Sequence, residues 1–442
     1  MMEVEVGRHT VLLARSEGKY SAMGNQCTHY GAPLSKGVIS GNTVRCPWHG
    51  ACFNVHTGDL EEYPGMDGLP CHKVQTIQTD RQTDRQTDRL IFQKRIKSMG
   101  AAVPGVDHTI LLLGGGAASL ICAEVLRQEY FGGRIIMVTS DELLPYDKTR
   151  LSKVMNVESD TILLRRMEFY QKYDIEVWLR KEALSVDTDK KTVTFDDSSV
   201  QSYDQLLIST GCRAKGLNVP GMKLDNVKML ETPEDMLSEK NVKFHMNDIV
   251  TEIKGVDGKV KEVVLKSGKV IPADVLIVGI GNIFCTINHR FSACVSLLQY
   301  MRTNVPGVFC GGDLATFPLA MAKNQLVNIG HWQMAQAHGR IAALNMLDKQ
   351  SELSSVPFYW TVLLGTTIRY AGYGEGYTEI VLKGKLEDKK FLAFYIKDNE
   401  VIAAAGLNYD PGVSAVAERL LTGKVITKEE AESDDLSWLQ LS

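Results

Sequence analysis

Two short motifs near the N-terminus constrain this chain more than any other feature, because each combines a cysteine with a histidine. Cys27 and His29 form the first motif, and Cys46 and His49 form the second after a gap of sixteen residues. Glycine and proline residues accompany both motifs, as is typical of tight loops. The spacing therefore predicts two neighbouring loops, each of which presents one thiolate and one imidazole.

This ligand set suits a [2Fe–2S] cluster in which two cysteines bind one iron and two histidines bind the other. A zinc site is the alternative, since zinc also accepts two sulfur and two nitrogen ligands. Zinc sites usually pair like ligands at short spacing, whereas each motif here carries one ligand of each kind. The spacing therefore favours the cluster, with Cys27, His29, Cys46 and His49 as its ligands.

The two motifs resemble those of the Rieske ferredoxin family, and the resemblance covers roughly residues 1–97. Phe53, Thr57 and Gly58 fit the family's continuation after the second loop. High-potential respiratory members carry hydroxyls bonded to sulfur where this chain has Ala51 and Phe53. Because fewer hydrogen bonds to sulfur destabilise the reduced cluster, we expect a reduction potential near the low end of the Rieske range, roughly −150 mV.

A tetrapeptide repeat interrupts the chain after this module. Gln-Thr-Asp-Arg occurs three times between Gln78 and Arg89, and these twelve residues include no apolar side chain. Such a segment cannot enter a core. We therefore predict a solvated hairpin tip between strands at Val74–Ile77 and Leu90–Phe92.

A β-turn-α-β pattern begins at Thr109. The apolar run Thr109–Leu113 predicts a buried parallel strand, Ala117–Gln128 has helical periodicity, and Arg134–Val138 predicts the next strand. Further buried strands are predicted at Gln205–Ser209 and Val308–Cys310, and a helix at 327–347. The pattern indicates an α/β domain with a parallel sheet.

The turn between the first strand and the helix carries the fingerprint Gly114-x-Gly116-x-x-Ser119, and Asp141 follows the next strand. In a dinucleotide site the glycines allow the backbone to approach a pyrophosphate, and the acidic residue accepts from ribose hydroxyls. We therefore assign Gly114, Gly116, Ser119 and Asp141 to cofactor binding. An α/β turn without a ligand is the alternative, and the fingerprint alone does not distinguish FAD from NAD.

Three later stretches resemble the flavin-binding segments of ferredoxin-reductase-type oxidoreductases, which implies FAD as the cofactor. They are Leu144–Lys153, Ser209–Gly211 and Thr303–Asp313. The resemblance implies that Lys153 lies near the isoalloxazine ring and that Asp313 holds the ribityl chain of the flavin. It also assigns cofactor binding to Thr210, Gly211 and Gly312.

Together with the N-terminal module, the segments 330–335 and 369–376 resemble the Rieske-bearing branch of the apoptosis-inducing-factor-like flavoproteins. The resemblance implies hydride transfer from NAD(P)H to FAD, then single electrons to the cluster, and a role related to cell death. It implies cofactor contacts for His331 and Trp332, and catalytic roles for Lys153 and Trp360. Core packing is the alternative for Trp332 and Trp360.

The family's NAD(P)H-binding domain is mostly missing from this sequence. Five residues, Met236–Lys240, stand where the family inserts the heart of that domain, whereas a βαβ unit needs roughly 30 or more. We expect residues 236–271 to be a hairpin-like remnant with Gly255, Gly258 and Gly268 at turns. NAD(P)H is thus implied by the resemblance while its site looks deleted, as in a shortened isoform or an imperfect gene model.

These observations predict a multidomain chain with an all-β module, an α/β domain similar to the pyridine nucleotide-disulfide oxidoreductases, and a small α+β domain. The expected boundaries are a Rieske module at 1–97, a linker at 98–107, FAD-binding parts at 108–235 and 272–350 around the remnant at 236–271, and a C-terminal domain resembling reductase interface or dimerisation domains at 351–442.

Composition and charge bear on the binding partners of the protein and on its cellular location. The net charge of −4 argues against a protein that coats nucleic acid, and no apolar run reaches the roughly 20 residues of a membrane-spanning helix. No targeting peptide is visible, which predicts either a cytosolic protein or an incomplete N-terminus. The expected location is therefore left as cytoplasmic or mitochondrial. The physiological electron acceptor is not encoded in any motif.

Three other functions are weighed against the reductase. A Rieske oxygenase needs two histidines and a carboxylate on iron, but no Asp or Glu stands at helical spacing beside His331 and His338. Thiol–disulfide chemistry lacks a C-x-x-C or C-x4-C pair near Asp141–Lys153. A catalytically impaired chain or binding protein that retains flavin and cluster without NAD(P)H oxidation remains the alternative.

Overall fold

The computed structural model describes residues 1–7, 9–74, 94–151, 158–229, 245, 247–280, 282–284, 295–296, 300–363 and 365–439. The tetrapeptide repeat with most of its predicted flanking strands, Lys153, and the junction Met236–Lys240 lie outside these residues. Among the described helices, none has the length and apolar character needed to cross a membrane.

The N-terminal module is all-β, as predicted, and consists of two antiparallel four-stranded sheets. The first has the order β1-β2-β3-β8 and the second the order β4-β5-β6-β7. The strands are β1 (Met2–Val6), β2 (His9–Ser16), β3 (Lys19–Gly24), β4 (Val38–Ser40), β5 (Thr43–Arg45), β6 (Cys52–Asn54), β7 (Leu60–Glu62) and β8 (Cys71–Lys73). Buried apolar residues from both sheets, such as Leu12, Val44 and Phe53, form its core.

A five-stranded parallel sheet with the order β11-β10-β9-β15-β24 forms the centre of the second domain. Its strands are β9 (Thr109–Leu113), β10 (Arg134–Val138), β11 (Ile175–Trp178), β15 (Gln205–Ile208) and β24 (Val308–Cys310). Helix α1 (Ala117–Gln128) packs against helix α4 (Trp332–Met346) beside this sheet. The approach is close because a Cβ at Gly339 would collide with the carbonyl oxygen of Ala118. The predicted α/β class is confirmed.

Smaller elements surround this sheet. They are α2 (Ser159–Ile162), α3 (Met167–Lys172), β12 (Ala183–Asp187), β13 (Thr192–Phe195), β14 (Val200–Ser202), β16 (Cys212–Ala214), β17 (Val227–Met229), β18 (Val250–Val256), β19 (Lys259–Leu265), β20 (Val270–Pro272), β21 (Leu276–Val278), β22 (Asn282–Phe284), β23 (Val295–Ser296), β25 (Ala315–Leu319) and β26 (Gln325–Asn328). Strands β18, β19 and β20 form an antiparallel sheet with its own small core around Ile253 and Val263.

The C-terminal domain is α+β, as predicted. Its antiparallel sheet has the order β27-β28-β31-β30-β29, and helix α5 packs on β28 and β31. The elements are β27 (Phe358–Leu363), β28 (Thr366–Gly372), β29 (Glu379–Lys385), β30 (Lys390–Lys397), β31 (Glu400–Leu407), α5 (Gly412–Leu421) and α6 (Lys428–Glu432). Helix α5 also contacts β4 of the N-terminal module.

Two predictions of local structure were wrong. The helix predicted at 327–347 begins only at Trp332, because Val327 belongs to β26 and pairs with Phe317. Gly255 does not form a turn but lies within β18 at a shift in register, while Gly258 and Gly268 do take turn conformations with positive φ. In both cases a strand pairing that the local sequence pattern does not encode decided the conformation.

Candidate functional site

The two cysteine–histidine loops share one backbone conformation. In the first, the N–H of Gly31 donates to the carbonyl of Cys27 at 2.8 Å, and in the second the N–H of Gly50 donates to the carbonyl of Cys46 at 3.3 Å. Both glycines have positive φ, 77° and 78°, which a residue with a side chain rarely adopts. Two matching turns therefore present their ligands to each other.

The four predicted ligands meet as two like pairs. The Cys27 and Cys46 thiols, both buried, are hydrogen-bonded to each other. The Nδ1 atoms of His29 and His49 lie 3.0 Å apart. A cluster with two sulfur ligands on one iron and two nitrogen ligands on the other requires this sorting, so the residues present fit the group.

Both imidazoles are in the neutral form that binds metal. Burial lowers the pKa of His29 to about 4. Burial, with smaller contributions from the charges of His29 and Arg369, lowers the pKa of His49 to about 2. The Nε2 atom of His29 is buried without a hydrogen-bond partner among the described residues. The carboxylate of Asp147 acts in the opposite direction on the pKa of His29, but its effect is smaller than that of burial.

The glycine-rich turn before α1 has the shape of a phosphate cradle. Gly114 has a φ of 120°, and a Cβ there would collide with the carbonyl of Ser209. Gly116 precedes the first turn of α1 and has open space where its Cβ would be. The exposed N–H groups and dipole of the helix N-terminus therefore face an open cavity, where they favour an anionic group.

Ser119, the third fingerprint residue, does not line this cavity. Its side chain is fully buried, and its hydroxyl is 2.7 Å from that of Ser209, which in turn donates to the carbonyl of Leu113. Ser119 thus joins α1 to the residue that follows β15 and, through it, to β9, and its side chain has no exposed surface. The structure gives Ser119 a packing role, and its cofactor contact stays a prediction.

One cavity of about 1760 Å³ extends from the glycine turn to the cysteine–histidine loops. This volume exceeds the 300–1,000 Å³ typical of sites for small ligands, and it suits an extended dinucleotide. Most of the residues predicted to contact cofactor line it, namely Gly114, Gly116, Asp141, Thr210, Gly211, Gly312, Asp313, His331 and Trp332. Trp360, for which a catalytic role was predicted, lines it as well. His49 lines the same cavity.

Polar contacts orient the residues around Asp313 in the cavity wall. Asp313, whose pKa is raised by burial, accepts a hydrogen bond from the Cys212 thiol at 3.4 Å. The N–H of Gly312 donates to Nδ1 of His338 at 3.2 Å. His331 has a buried Nδ1 atom without a partner among the described residues, as expected where a ligand supplies one. His338 therefore acts on the turn that positions Asp313, a role that sequence reasoning missed.

Trp360 stands between the two halves of the site. Its ring centroid is 4.9 Å from that of His49, 5.8 Å from that of His29 and 5.0 Å from that of His331. The indole is only partly buried and forms part of the cavity wall. The Trp360 ring therefore lies beside the imidazoles of both ligand loops and beside His331.

Direct contacts dock the N-terminal module on the other domains. The Tyr30 hydroxyl donates to Asp147 at 3.0 Å, and the Ser414 hydroxyl donates to the carbonyl of Cys46 at 3.1 Å. Gly50 lies against the ring of Phe358. The ligand loops therefore contact both the C-terminal domain and the α/β domain. Because the α/β domain resembles flavin-binding domains, we call it the flavin-type domain.

Two arginines form buried ion-pair triads across these interfaces. Arg45 binds Glu62 of its own module at 2.6 Å and Glu418 of α5. Arg165 of the flavin-type domain binds Asp67 of the N-terminal module at 2.7 Å and Glu124 of α1 at 2.9 Å. Both arginines are more than nine-tenths buried. No sequence pattern marked these residues, because their partners are distant along the chain.

Gly50→Ala is expected to destabilise the protein more than the equivalent change in the first loop. A Cβ at Gly50 would lie 2.7 Å from Cγ of Phe358, whereas a Cβ at Gly31 meets nothing within 4 Å. Since φ is nearly the same, both variants share a backbone cost of about 1–2 kcal/mol, and only Gly50→Ala adds a clash. Urea unfolding of the two variants measures the difference. Equal losses would contradict a close contact at Phe358.

Comparison with known protein families covers nearly the whole chain. Residues 1–73 match the Rieske [2Fe-2S] domain, residues 108–237 and 228–339 match the pyridine nucleotide-disulphide oxidoreductase family, and residues 358–439 match the reductase C-terminal domain. The chain is 41% identical to apoptosis-inducing factor 3 of Homo sapiens over 518 residues, which covers 99% of this chain and 86% of the relative.

More distant relatives share the fold. The ferredoxin–NAD(+) reductase subunit of the benzene 1,2-dioxygenase system of Pseudomonas putida is 24% identical over 74% of this chain and 95% of its own length. The covalent putidaredoxin reductase–putidaredoxin complex matches with a TM-score of 0.69 and 18% identity, covering 76% of this chain and 98% of the matched chain.

Proposed function

Because this chain belongs to the apoptosis-inducing factor 3 family, we propose that it is an oxidoreductase that exchanges single electrons between FAD and its own [2Fe–2S] cluster. FAD, when bound, accepts two electrons and releases them singly, and the cluster carries one electron at a time. The single observation that carries this proposal is Trp360, which contacts His29 and His49 on one side and His331 on the other.

The chain's own residues have distinct tasks in this proposal. Cys27, Cys46, His29 and His49 would hold the cluster at the edge of the flavin cavity. The N-terminus of α1 with Gly114 and Gly116 would bind the pyrophosphate, and Asp141 and Asp313 would accept from ribose and ribityl hydroxyls. Trp332 and Trp360 would cover the reacting end and exclude water.

A fused partner distinguishes this chain from a two-protein system. In the covalent putidaredoxin reductase–putidaredoxin complex, a reductase of the same fold is joined to a second protein. Here the Rieske module is part of the same polypeptide, and buried triads at Arg45 and Arg165 hold it in place. This arrangement supports transfer within one molecule rather than between colliding proteins.

The electron donor is a separate question. NAD(P)H is supported by relatives named as NAD(+) reductases. Against a dedicated site, the described residues 215–229 and 247–280 contain short strands and no glycine loop that opens a helix. Human apoptosis-inducing factor 3 aligns over 518 positions although this chain has 442 residues, so more than 70 positions of the relative have no counterpart here.

These observations favour a second candidate, a form that retains flavin and cluster without efficient NAD(P)H oxidation. It differs only in the electron donor from an oxidoreductase that takes its electrons from NAD(P)H. Electrons would enter the flavin from another reductant, while the contact between Trp360 and the ligand histidines would serve the same transfer. The two candidates separate in an assay with and without NADH.

Anaerobic photoreduction tests the proposed function independently of the donor. The reconstituted protein is expected to show flavin absorbance, and light with a sacrificial donor should reduce the flavin and then produce the EPR signal of a reduced Rieske cluster. The Cys46→Ser variant, which lacks one iron ligand, should keep the flavin change and lose the EPR signal. Zinc in place of iron, or a colourless folded protein, would contradict the proposal.

The relatives' name supports one finer proposal, a role in cell death. A cytoplasmic or mitochondrial location is a second proposal, which the name does not address. Fractionation of cells that express the tagged protein tests the location. Survival of cells that express the wild-type chain or Cys46→Ser tests the role, and equal survival would contradict a role that depends on the cluster.

A further inference from the structure

A buried arginine of the C-terminal domain lies beside the second ligand loop. Arg369 is on β28, directly opposite Trp360 of β27 in the antiparallel register, and is 3% exposed. It lines the same cavity as His49. The C-terminal domain thus places a permanent positive charge next to the tryptophan that joins the two halves of the site.

The guanidinium is incompletely paired. Its nearest carboxylate is that of Asp410 at 3.6 Å, and one N–H donates to the carbonyl of Ile368 at 3.2 Å. Its Nε atom is buried and has no hydrogen-bond partner among the described residues. A buried cation with a long, single ion pair retains a field that acts on its surroundings.

That field reaches the cluster ligands. The ring of the ligand His49 lies 4.9 Å from that of Trp360, the residue opposite Arg369 in the sheet, and all three side chains line the same cavity. The backbone of Cys46 is tied to Ser414 of α5, four residues after Asp410. Cys46, Asp410 and Arg369 are therefore parts of one compact interface.

A cluster with two thiolates and two neutral imidazoles is formally neutral when oxidised and carries one negative charge when reduced. A fixed cation nearby stabilises the reduced form more than the oxidised form. We propose that Arg369 is a positioning residue of the C-terminal domain that raises the reduction potential of the cluster in the docked Rieske module. This inference rests on the proposed function, since it requires the cluster.

The raised potential would offset other features of the loop. Ala51 and Phe53 offer no hydroxyl to the cluster sulfurs, and the Arg45 triad, with two carboxylates, is formally negative. Both features disfavour an added electron. Arg369 would therefore counteract them from the side of the cavity, where the electron arrives from the flavin.

Redox titration followed by EPR tests the inference with two variants of opposite sign. Arg369→Gln removes the cation and is expected to lower the ratio of reduced to oxidised cluster at fixed potential at least tenfold, which is about 59 mV for one electron. Asp410→Asn removes its counter-charge and is expected to raise the potential. Arg369→Lys keeps the charge and should restore most of the wild-type value. Arg180→Gln, in an exposed ion pair with Glu142, serves as the matched control without effect.

The outcomes separate the inference from the proposed function. A wild-type protein that holds no reducible cluster contradicts both. A wild-type cluster whose potential is unchanged in Arg369→Gln and Asp410→Asn contradicts the inference alone. Shifts of the two variants in the same direction also contradict it, because they indicate a structural lesion rather than a charge effect. If Arg369→Gln does not fold, Asp410→Asn and Arg369→Lys decide the matter by the same criteria.

Discussion

NADH is expected to reduce the flavin of this chain without saturation up to about 1 mM, the upper end of usual KM values. A dinucleotide site needs a strand, a glycine loop and a helix N-terminus to bind the pyrophosphate. Among the described residues between β16 and β22, the chain offers the strand pair β17 and β21 and the sheet of β18, β19 and β20. Without specific binding, NADH reacts only by collision.

Stopped-flow measurement of flavin bleaching against NADH concentration checks this expectation. The matched control is a chimera in which the corresponding segment of human apoptosis-inducing factor 3 is inserted between Met236 and Lys240. The chimera is expected to show saturation and at least a 100-fold higher rate at low NADH, which corresponds to about 2.7 kcal/mol of recovered binding energy. Saturable reduction of the unmodified chain would show that a site for NADH is present.

Arg165→Met is expected to cost about 3–5 kcal/mol and to loosen the Rieske module from the flavin-type domain. The change leaves Asp67 and Glu124 without their shared cation, and Glu124 is almost fully buried. Removal of one partner from a buried ionic group is strongly destabilising because the remaining charges are not solvated. The variant would also lose the contact of the Arg165 guanidinium with the ring of Phe169, whose centroid is 4.7 Å away.

Urea unfolding, monitored by flavin and cluster absorbance separately, measures the effect on each domain. Arg134→Met is the matched control, since its ion pair with Glu176 is about two-fifths exposed on both sides and such pairs contribute about 0–1 kcal/mol. The first unfolding transition should move to lower urea in Arg165→Met only. Equal shifts in the two variants would mean that the Asp67 triad does not hold the module.

The sequence predicted those parts of the protein in which a local pattern determines the structure. Three elements have the predicted bounds, namely Thr109–Leu113, Ala117–Gln128 and Arg134–Val138. A continuous apolar run and a helical period are properties of each segment alone, so the local sequence is enough to predict them. The pairing of Cys27 with Cys46 and of His29 with His49 follows the spacing of the motifs in the same way.

The remaining features depend on contacts between distant segments. Arg45 and Glu418 are 373 positions apart, and nothing in either neighbourhood indicates that they meet. The family resemblance predicted a catalytic role for Trp360. Its position between His49 and His331 depends on the packing of three domains, which no local pattern encodes. Ser119 shows the converse, since its fingerprint position suggested a ligand while its hydroxyl bonds to Ser209.

The most direct measurement is the rate constant for cluster reduction after flash photoreduction of the flavin, taken at protein concentrations that span about a tenfold range. With His29 and His49 held against Trp360, the flavin and the cluster belong to one molecule, and a process within one molecule is first order. We predict a rate constant that does not change with protein concentration. A rate that rises in proportion to concentration, or a flavin that reoxidises while the cluster stays oxidised, would contradict electron exchange within the chain.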